Sequence, residues 1–445
     1  MTTVNKENSA SDSYELIGIS KDELIGISTQ LAKKLASNIE DNGYVVASTR
    51  YDHYKKHWLR DSSFIAISLM LYVGYIDNDK EALDKALSIL SFNMSVIEKS
   101  MNRIIDAVDT PLENKDFFKL AIPARVDRNA SLAQVDADEL NKLHSWLHQY
   151  DSLPLFIISS FIAKRIADKD GIKDERLDRV ISYIKDNTEL FSKYLGKIYR
   201  TECSSEWEIE QDSIHAYDLL VIELSRRVLI ELDGNKKDII ERSFIGVDNS
   251  NRDADTSTPI EFLKKFLLFN GKIIRRKRAF KDLDPSEGVD SGLILPLYLA
   301  DLLDIDLKEI KEELDSSLRE IIDNIKENLE KAGVPLPNRF KGDTYFHGGA
   351  WVLLGCYTAA YIVSNPELRD YDDLTYKIFN YVYRIWNELG ELPEQIADPR
   401  INASSYDPER YLERFGQPPQ DLLWSSASFL SLAIALYARD KQIRV

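Results

Sequence analysis

The sequence is poor in cysteine, with only Cys203 and Cys356 among 445 residues. A disulfide framework is therefore excluded, and we expect a reducing, cytoplasmic setting. No apolar run reaches the ~18 residues of a membrane-spanning helix, and the start of the chain lacks the basic-then-apolar pattern of a secretory signal. Gly-rich phosphate-binding loops and Cys-x-x-Cys pairs are also missing. We therefore expect no cofactor and no membrane partner.

Positively charged residues are fewer than negatively charged ones: the chain has 57 Lys and Arg and 74 Asp and Glu, which gives a formal net charge of -17. A protein with this balance is not drawn to nucleic acid or to anionic lipid. The one dense basic stretch, residues 272–278, is isolated in an acidic chain. We interpret it as a solvated loop or helix end rather than as a nucleic-acid patch.

The residues present favour helices. The first twenty residues are polar, and we expect them to be disordered. After them Leu, Ile and Ala recur at helical spacing, and strict apolar–polar alternation is missing. Six segments are amphipathic and heavily charged, at residues 21–41, 79–105, 173–198, 258–269, 307–332 and 367–389. Six others are apolar on nearly all sides, at residues 62–75, 153–167, 214–232, 291–303, 351–363 and 427–438.

The two kinds of segment alternate along the chain. A helix that is apolar all round must be buried, whereas a striped helix turns its polar side to solvent. Six of each in alternation predict an inner ring of helices inside an outer ring, the all-α (α/α)6 toroid, with residues 21–445 as a single domain. A linear helical-repeat solenoid would show a fixed repeat length and polar terminal caps, and this sequence shows neither.

Aromatic and charged residues precede each predicted inner helix. The N-terminal ends of the inner helices of such a toroid open on one face, so six loops converge on one concave site. Aromatic faces for stacking, together with polar and charged groups for hydrogen bonding, are what a sugar requires. The loops therefore predict a carbohydrate-binding site. Two polar inserts, residues 106–145 and 248–257, are expected at the surface, the first at the rim of that site.

Hydrolysis of a glycosidic bond requires two carboxyl groups, one protonated and one ionised. Residues 201–212 crowd five carboxylates before an inner helix, where repulsion and burial beside Trp207 would raise one pKa, as suits a general acid. Residues 390–395 offer a second carboxylate on a loop. Acidic loops are more often solvated surface, and spacing alone does not choose among Glu206, Glu208 and Glu210.

Six motifs in order resemble those of glycoside hydrolase family 15, the glucoamylase family, between about residues 51 and 430. They contain Trp58, Arg60 and Asp61; Gln149 and Asp151; Trp207 and Glu208; Arg339, Asp343 and Trp351; Glu394 and Gln395; and Trp424 and Ser425. The resemblance implies an exo-acting hydrolase of α-1,4 or α-1,6 linkages. It would release β-glucose from the non-reducing end of short α-gluco-oligosaccharides, so its partner is a small carbohydrate substrate.

The resemblance also implies roles for these residues. Glu208 would be the general acid, and Glu394 the general base that activates water on the opposite face of the sugar. The two carboxyls of such an inverting enzyme lie about 6.5–9.5 Å apart. Arg60 and Asp61 would hold the outer hydroxyls of the terminal glucose. The other positions expected to bind substrate are Tyr54 near the attacked carbon, Arg339 and Asp343 near the leaving sugar, and Trp58, Gln149, Asp151, Trp207, Trp351, Gln395 and Trp424.

Simpler interpretations exist for several of these residues. Asp61 could be a helix N-cap, Arg60 an ordinary ion-pair partner at a helix start, and the tryptophans core residues. The pairs His53/His57 and His144/His148 have a helical spacing of four. They lack the Glu of a His-Glu-x-x-His site, so we expect no metal. We expect His148 at the sugar site or its rim.

The sequence departs from the family in three respects. Ile209 follows Glu208 where several members have a second Glu that binds the leaving sugar, and Ser152 replaces the usual Gly. The β-sandwich and starch-binding modules of longer members are missing from these residues, so we expect small soluble substrates such as isomaltose, maltose or trehalose. Two rivals stay open: an α,α-trehalase of the same fold and a non-catalytic carbohydrate-binding protein or scaffold. The residues leave the oligomeric state open.

Overall fold

The computed structural model describes residues 19–112, 114, 117–132, 134–142, 145, 147–204, 206–208, 212–244, 258–278, 281–401 and 417–439. The expected disordered start up to residue 18 and the expected surface insert at residues 248–257 lie outside the described residues, as do His144, Ile209 and Glu210. Among the helices of the described ranges, none combines the length and apolarity needed to cross a lipid bilayer.

Six helices form an inner ring and bury most of their side chains, as their all-round apolar sequences predict. In chain order, the first to sixth inner helices are Leu59–Tyr75, Ser152–Asp170, Ala216–Leu232, Ile294–Leu302, Val352–Ser364 and Leu423–Arg439. Each packs against the next, and the sixth packs against the first, so the ring closes. The chain therefore has the predicted all-α (α/α)6 architecture.

Small hydroxyl residues and stacked rings fill the centre of the inner ring. Ser68 of the first inner helix and Ser431 of the sixth place their Oγ atoms 2.9 Å apart, so two buried polar groups satisfy each other. The ring of Phe64 stacks on Trp424 with a centroid separation of 5.1 Å and contacts Tyr357 at 5.3 Å. Aromatic burial of this kind contributes about 1.5–3 kcal/mol per side chain, and here it supports the floor of the concave end.

Amphipathic helices form the outer ring. They are Lys21–Ser37, Lys80–Lys99, Glu175–Asp186 with Thr188–Ile198, Pro259–Phe266, Lys311–Ala332 and Asp372–Leu389. Two predicted helices are interrupted, at Ser100 and at Asn187. Each of these side chains bonds the carbonyl four residues earlier, Ser100 at 2.8 Å and Asn187 at 2.9 Å, and so competes with helix continuation. Shorter helices, Met101–Asp109, Gln134–Leu140 and Lys237–Phe244, lie in the connections.

Short antiparallel strands join the loops in pairs at one end of the ring. The pairs are His57–Trp58 with Arg125–Val126, Ser213–His215 with Arg276–Arg278, and Ala350–Trp351 with Gln395–Ile396. A further hairpin, Leu268–Phe269 with Lys272–Ile273, follows the fourth outer helix. Each of the first three pairs joins the loop before an odd-numbered inner helix to the loop before the next one.

Backbone hydrogen bonds join the other neighbouring loops. They run from Ser204 N to His148 O at 3.0 Å, from Ser291 N to Arg339 O at 2.7 Å, and from Leu423 N to Ala47 O at 2.9 Å. Together with the three strand pairs they form a circle of backbone bonds around the N-terminal ends of the inner helices. The insert at residues 106–145 takes part in it, and its residues 121–126 are buried rather than at the surface as expected.

Candidate active site

A cavity of about 180 Å³ opens at the N-terminal ends of the inner helices, inside this circle of loops. Its walls are aromatic and charged. It is lined by Tyr54, Trp58, Arg60, Asp61, Glu206, Trp207, Glu208, Arg339, Tyr345, Trp351, Glu394, Leu422 and Trp424. The loops before the first, third, fifth and sixth inner helices therefore bring most of the residues predicted for the site into one place.

Glu208 extends from a turn with an unusual backbone. Its φ is 60°, in the left-handed region that costs a residue other than glycine roughly 1–2 kcal/mol. Such strain persists only where the surrounding structure imposes it, and it clusters at functional sites. The side chain is 28% exposed, and Arg60 Nη2 lies 3.6 Å from Oε1. Burial raises the pKa of Glu208 to about 7, more than Arg60 and Arg125 lower it.

Glu394 enters the cavity from the loop before the sixth inner helix and is 4% exposed. Its backbone N–H donates to Pro419 O at 2.9 Å, and its carbonyl accepts from Val352 N–H at 3.2 Å. The Tyr54 hydroxyl donates to Oε1 at 3.2 Å, whereas Oε2 has no hydrogen-bond partner among the described residues. Burial raises the pKa of Glu394 to about 8, against the lowering effects of Tyr345, Arg339 and Tyr54.

The two carboxyls interact, since the charge of Glu208 raises the pKa of Glu394 further. Interacting groups titrate as a pair. Burial raises the pKa of both carboxyls to near neutrality, about 7 for Glu208 and about 8 for Glu394, so the pair holds about one proton there. The position of the shared proton therefore depends on what occupies the cavity.

Arg60 is a buried cation among carboxyl groups. Its Nη1 donates to Gln149 Oε1 at 2.9 Å and to Asp151 Oδ2 at 3.3 Å. Its Nε lies 3.6 Å from Asp61 Oδ1. Removing any one partner would leave a buried charge without full compensation, which typically costs about 3–5 kcal/mol. Arg60 is therefore far more constrained than an ordinary ion-pair partner at a helix start.

Asp61 lies inside the first turn of the first inner helix, whose N-cap position is Trp58. The simpler interpretation of Asp61 as the N-cap is therefore wrong. Burial raises the pKa of Asp61 to about 6, more than Arg60 lowers it. The side chain lines the cavity beside Arg60, so a donor and an acceptor for sugar hydroxyls stand next to each other.

Arg339 is held between a carboxylate and four aromatic rings, one of which is Phe340 at 5.4 Å. Its Nε and Nη2 donate to both oxygens of Asp343, at 2.7 and 2.6 Å. The guanidinium lies 5.1 Å from the ring centroid of Trp207, 5.0 Å from that of Tyr345 and 4.9 Å from that of Trp351. Cation–π contacts and a bidentate ion pair together fix this side chain in the cavity wall.

The four tryptophans named from the sequence are core residues and cavity walls at once. Trp58, Trp207, Trp351 and Trp424 are 3–6% exposed, and all four line the cavity. Trp207 and Trp351 place their ring centroids 5.0 Å apart. Trp424 donates from Nε1 to the Tyr357 hydroxyl at 3.2 Å. The four tryptophans can therefore be core residues and stacking surfaces for a sugar at the same time.

Four of the residues expected to bind substrate lie behind the lining. Gln149 and Asp151 accept from Arg60, and Asp343 pairs with Arg339. Gln395 pairs with Trp351 through the backbone, and its buried amide group has no hydrogen-bond partner among the described residues. The structure thus places these side chains in support of lining residues rather than in the cavity wall.

Sequence reasoning missed Tyr345 and Leu422, both of which line the cavity. The Tyr345 hydroxyl lies 3.0 Å from that of Tyr54, and its backbone N–H donates to Asp343 at 2.9 Å. An aromatic residue two positions after Asp343, inside a motif already singled out, was the available signal for Tyr345. Leu422 carried none, because an apolar residue just before a buried helix is typical of a core.

The basic stretch at residues 272–278 turns inward. Arg275 and Arg276 are each 4% exposed, and both pair with Glu287, Arg276 at 2.7 Å. The Arg275 guanidinium lies 3.8 Å from the ring centroid of Phe340. The interpretation of this stretch as a solvated loop or helix end is therefore wrong for its central residues, because strand pairing with Ser213–His215 draws them into the protein.

The buried histidines have protein partners. His57 Nδ1 accepts from Val45 N–H at 3.1 Å, and its Nε2 lies 2.7 Å from Asn93 Oδ1. Burial lowers the pKa of His57 to about 4, so the ring is neutral at neutral pH. His148 Nε2 lies 2.8 Å from Leu140 O. In the ranges that the structure describes, no three His, Cys, Asp or Glu side chains converge as metal ligands would.

Comparison with solved structures shows the same fold in glycosidases. A wild-type glycosidase matches with a TM-score of 0.67 over 94% of this chain and 97% of that chain, at 17% identity. The glucoamylase from Saccharomycopsis fibuligera matches with a TM-score of 0.57 over 99% of both chains, at 13% identity. The family 15 glucoamylase from Hypocrea jecorina matches with a TM-score of 0.58 over 96% of this chain and 73% of that chain, at 14% identity.

No protein-family model and no curated protein sequence matches this chain. The structural matches alone therefore define its class: the chain has the (α/α)6 fold that glucoamylases have.

Proposed function

We propose that the protein is an inverting, exo-acting α-glucoside hydrolase that releases β-glucose from the non-reducing end of short α-gluco-oligosaccharides. The observation that carries this proposal is that Glu208 and Glu394 line one cavity walled by tryptophans. The fold shared with glycosidases and the sequence motifs that resemble glycoside hydrolase family 15 support the same assignment.

The proposed reaction is a single displacement. Glu208 gives its proton to the glycosidic oxygen as the bond from that oxygen to the anomeric carbon breaks. Glu394 takes a proton from a water molecule, whose oxygen forms the new bond to the anomeric carbon on the opposite face of the sugar. The free Oε2 of Glu394 is available to accept that proton, and Tyr54 and Tyr345 stabilise the ionised form of this carboxyl.

Substrate binding supplies the required order of protonation. A glycosidic oxygen placed against Glu208 accepts a hydrogen bond only from the protonated carboxyl, and a water placed against Glu394 donates best to the ionised one. Because the pair holds one proton near neutral pH, these contacts draw that proton to Glu208. With substrate in the cavity the proton therefore lies on Glu208, and Glu394 is ionised.

The size of the cavity suits the terminal sugar of a substrate. Its volume of about 180 Å³ is below the roughly 300–1,000 Å³ of sites that enclose drug-sized ligands, which leaves room for a terminal sugar unit. Arg60 and Asp61 line this space and offer hydrogen bonds to the outer hydroxyls of that unit. The leaving sugar then lies toward the mouth, near Arg339.

The test is proton NMR of the protein incubated separately with isomaltose, maltose, nigerose and trehalose. From isomaltose, maltose and nigerose we expect an initial excess of β-glucose over its equilibrium share, because the attacked sugar is released as β-glucose while the other glucose keeps the anomer mixture of the reducing end. Trehalose would give α- and β-glucose in equal amounts, because its leaving glucose keeps the α configuration. Glu208→Gln and Glu394→Gln should abolish glucose release. Glu391→Gln is the matched control, because Glu391 lies on the same loop as Glu394 but pairs with Arg50 at 2.8 Å. This variant should keep its activity.

Other outcomes would change the proposal. An initial excess of α-glucose over its equilibrium share from isomaltose, maltose or nigerose would exclude inversion, and hydrolysis of trehalose alone would assign an α,α-trehalase. Glucose release from soluble starch at least as fast as from the disaccharides would contradict the preference for short substrates. No glucose from any substrate would overturn the proposal.

A further inference from the structure

Trp207 is held from behind by a carboxyl group that the proposed reaction does not use. Its indole Nε1–H donates to both oxygens of Asp290, at 3.0 and 2.8 Å. Asp290 Oδ1 also accepts from Gly292 N–H at 2.7 Å, which caps the short turn before the fourth inner helix. The residue next to the proposed general acid is thus anchored to a different loop, 83 positions away in the sequence.

A second buried carboxyl, that of Glu206, faces this anchor. A Cβ atom placed on Gly292 would lie 2.4 Å from Glu206 Oε1, 3.0 Å from Asp290 Oδ1 and 2.9 Å from Cζ2 of Trp207. The three side chains therefore converge on the space that a side chain at position 292 would occupy. Glu206 and Asp290 are each 3% exposed, so both carboxyls are shielded from bulk water.

Two carboxyls held this close in a buried site do not both ionise. Asp290 accepts from two N–H groups, those of Trp207 and Gly292. It also lies in the fields of Arg275 and Arg339, which favour its charged form. Glu206 faces the carboxyls of Asp290 and Asp218, and the charge of Arg60 compensates part of their effect. Burial and these two carboxyls raise the pKa of Glu206 well above its ordinary value, whereas burial raises that of Asp290 to about 6. At neutral pH the proton therefore resides on Glu206.

This inference rests on the proposed function for its catalytic part. We propose that Glu206 and Asp290 form a carboxyl pair that holds one proton and fixes the indole of Trp207, so that both act as positioning residues for Glu208. The backbone of Glu208 follows Trp207 directly and has a φ of 60°. We call the hydrogen bonds from the Trp207 indole to Asp290 the clamp. A strained backbone persists only where its surroundings hold it, so the position of Glu208 depends on the clamp at the preceding residue.

The pair also separates the roles of the crowded glutamates. The charge of Glu208 raises the pKa of Glu394, whereas the pKa of Glu206 is raised by the charges of Asp290 and Asp218. Glu206 thus belongs to the support of the turn, and Glu208 to the reacting pair.

The test uses infrared difference spectroscopy of the purified protein, which detects the C=O stretch of a protonated carboxyl, together with kinetics and near-ultraviolet circular dichroism. At pH 7 we expect Glu206→Gln to remove one protonated-carboxyl band and to keep the tryptophan dichroism. We expect it to lower kcat less than Glu208→Gln does, because Glu206 lines the cavity but is not the proposed acid. Glu223→Gln is the matched control. Glu223 is a buried glutamate paired with Arg226 and Arg227, and its loss should leave that band in place.

Asp290→Asn replaces an acceptor oxygen of the clamp by an amide donor. We expect the Glu206 band to shift, because the neighbouring charge is gone while burial still retains the proton, and the tryptophan dichroism to change. We expect kcat to fall roughly 10- to 100-fold with little change in KM, the size of effect that a misplacement of about 1 Å has in an active site.

The outcomes separate this inference from the proposed function. An unchanged infrared band in Glu206→Gln would overturn the shared proton, and unchanged dichroism and kcat in Asp290→Asn would overturn the clamp. Loss of activity in Glu206→Gln as complete as in Glu208→Gln would make Glu206 an acid itself. If the wild-type protein hydrolyses no glucoside, the proposed function fails, and the infrared and dichroism measurements still decide whether the pair exists.

Discussion

The hydroxyl of Tyr54 donates a hydrogen bond to Oε1 of Glu394 at 3.2 Å, across 340 positions of the sequence. The Tyr54 oxygen also lies 3.0 Å from the hydroxyl of Tyr345, so the carboxyl stands at the end of a two-tyrosine chain. Hydrogen bonds from such donors favour the ionised form of a carboxyl and thus lower its pKa. They oppose the desolvation of Glu394.

Replacement of Tyr54 by phenylalanine removes this donor. A hydrogen bond to a charged group contributes about 1.5–3 kcal/mol, so we expect kcat/KM to fall roughly 10- to 100-fold. The pKa of Glu394 rises, so the pH profile of kcat/KM moves to higher pH. Tyr51→Phe is the control, because the Tyr51 ring packs on Tyr54 at 5.4 Å and keeps the packing in place. Equal profiles for both variants would contradict the role of the Tyr54 hydroxyl.

The pH dependence of kcat/KM follows from the two raised carboxyl pKa values. The active form holds one proton on the pair, so activity falls when a second proton binds and when the last one leaves. With pKa values of about 7 for Glu208 and about 8 for Glu394, we expect a bell-shaped profile with its maximum between pH 7 and 8. Initial rates at low isomaltose or maltose concentration across pH 4–10 measure it. A maximum below pH 5 would show that the free site is less desolvated than its burial indicates.

Glu394 should reduce stability at alkaline pH. Its pKa is about 8 in the folded protein and about 4.3 in an unfolded chain. The folded state therefore binds the extra proton between these values, and stability falls as the pH rises through this window. We expect Glu394→Gln to be more stable than wild type at pH 8, on the order of 2–4 kcal/mol, and similar at pH 4. Thermal unfolding at both pH values measures the effect, and a gain of equal size at pH 4 would exclude ionisation as its cause.

The absence of a side chain at Gly292 leaves room for the Glu206 carboxyl beside the Trp207 indole. A methyl group there would lie 2.4 Å from Glu206 Oε1, so Gly292→Ala must displace the carboxyl or the indole. We expect kcat to fall roughly tenfold or more and the tryptophan dichroism to change. Gly26→Ala is the control, since a Cβ at Gly26 meets nothing within 4 Å and alanine is better than glycine in a helix by roughly 0.5–1 kcal/mol. An active Gly292→Ala with unchanged dichroism would contradict the close approach.

Hydrophobic patterning predicted the two rings because inner and outer helices differ in kind. The first inner helix is apolar on every side and buries nearly all its residues, whereas Lys311–Ala332 buries one face. The hydrophobic pattern did not predict the breaks in two outer helices, because Ser100 and Asn187 end a helix through hydrogen bonds of their own side chains. Such bonds compete with a hydrophobic pattern that continues past them.

The sequence motifs predicted that Arg60, Glu208 and Glu394 belong to one site, because their residue types and order resemble those of a known family. The clamp at Trp207 has no such signature. Asp290 could be seen in a loop before an inner helix, but its pairing with an indole 83 residues away depends on how two loops meet. The inward turn of Arg275 likewise depends on a strand pair and on Phe340, which no local pattern reveals.

The circle of backbone bonds around the cavity has a consequence for how the site can change. Each of the six loops shares hydrogen bonds with both neighbours, and a shift in one is transmitted to the next. Substitutions in adjoining loops should therefore show coupled effects, whereas those on opposite sides should add. The natural unit for exchanging specificity is then a strand-joined pair of loops, and the site is assembled from three such modules rather than from six independent ones.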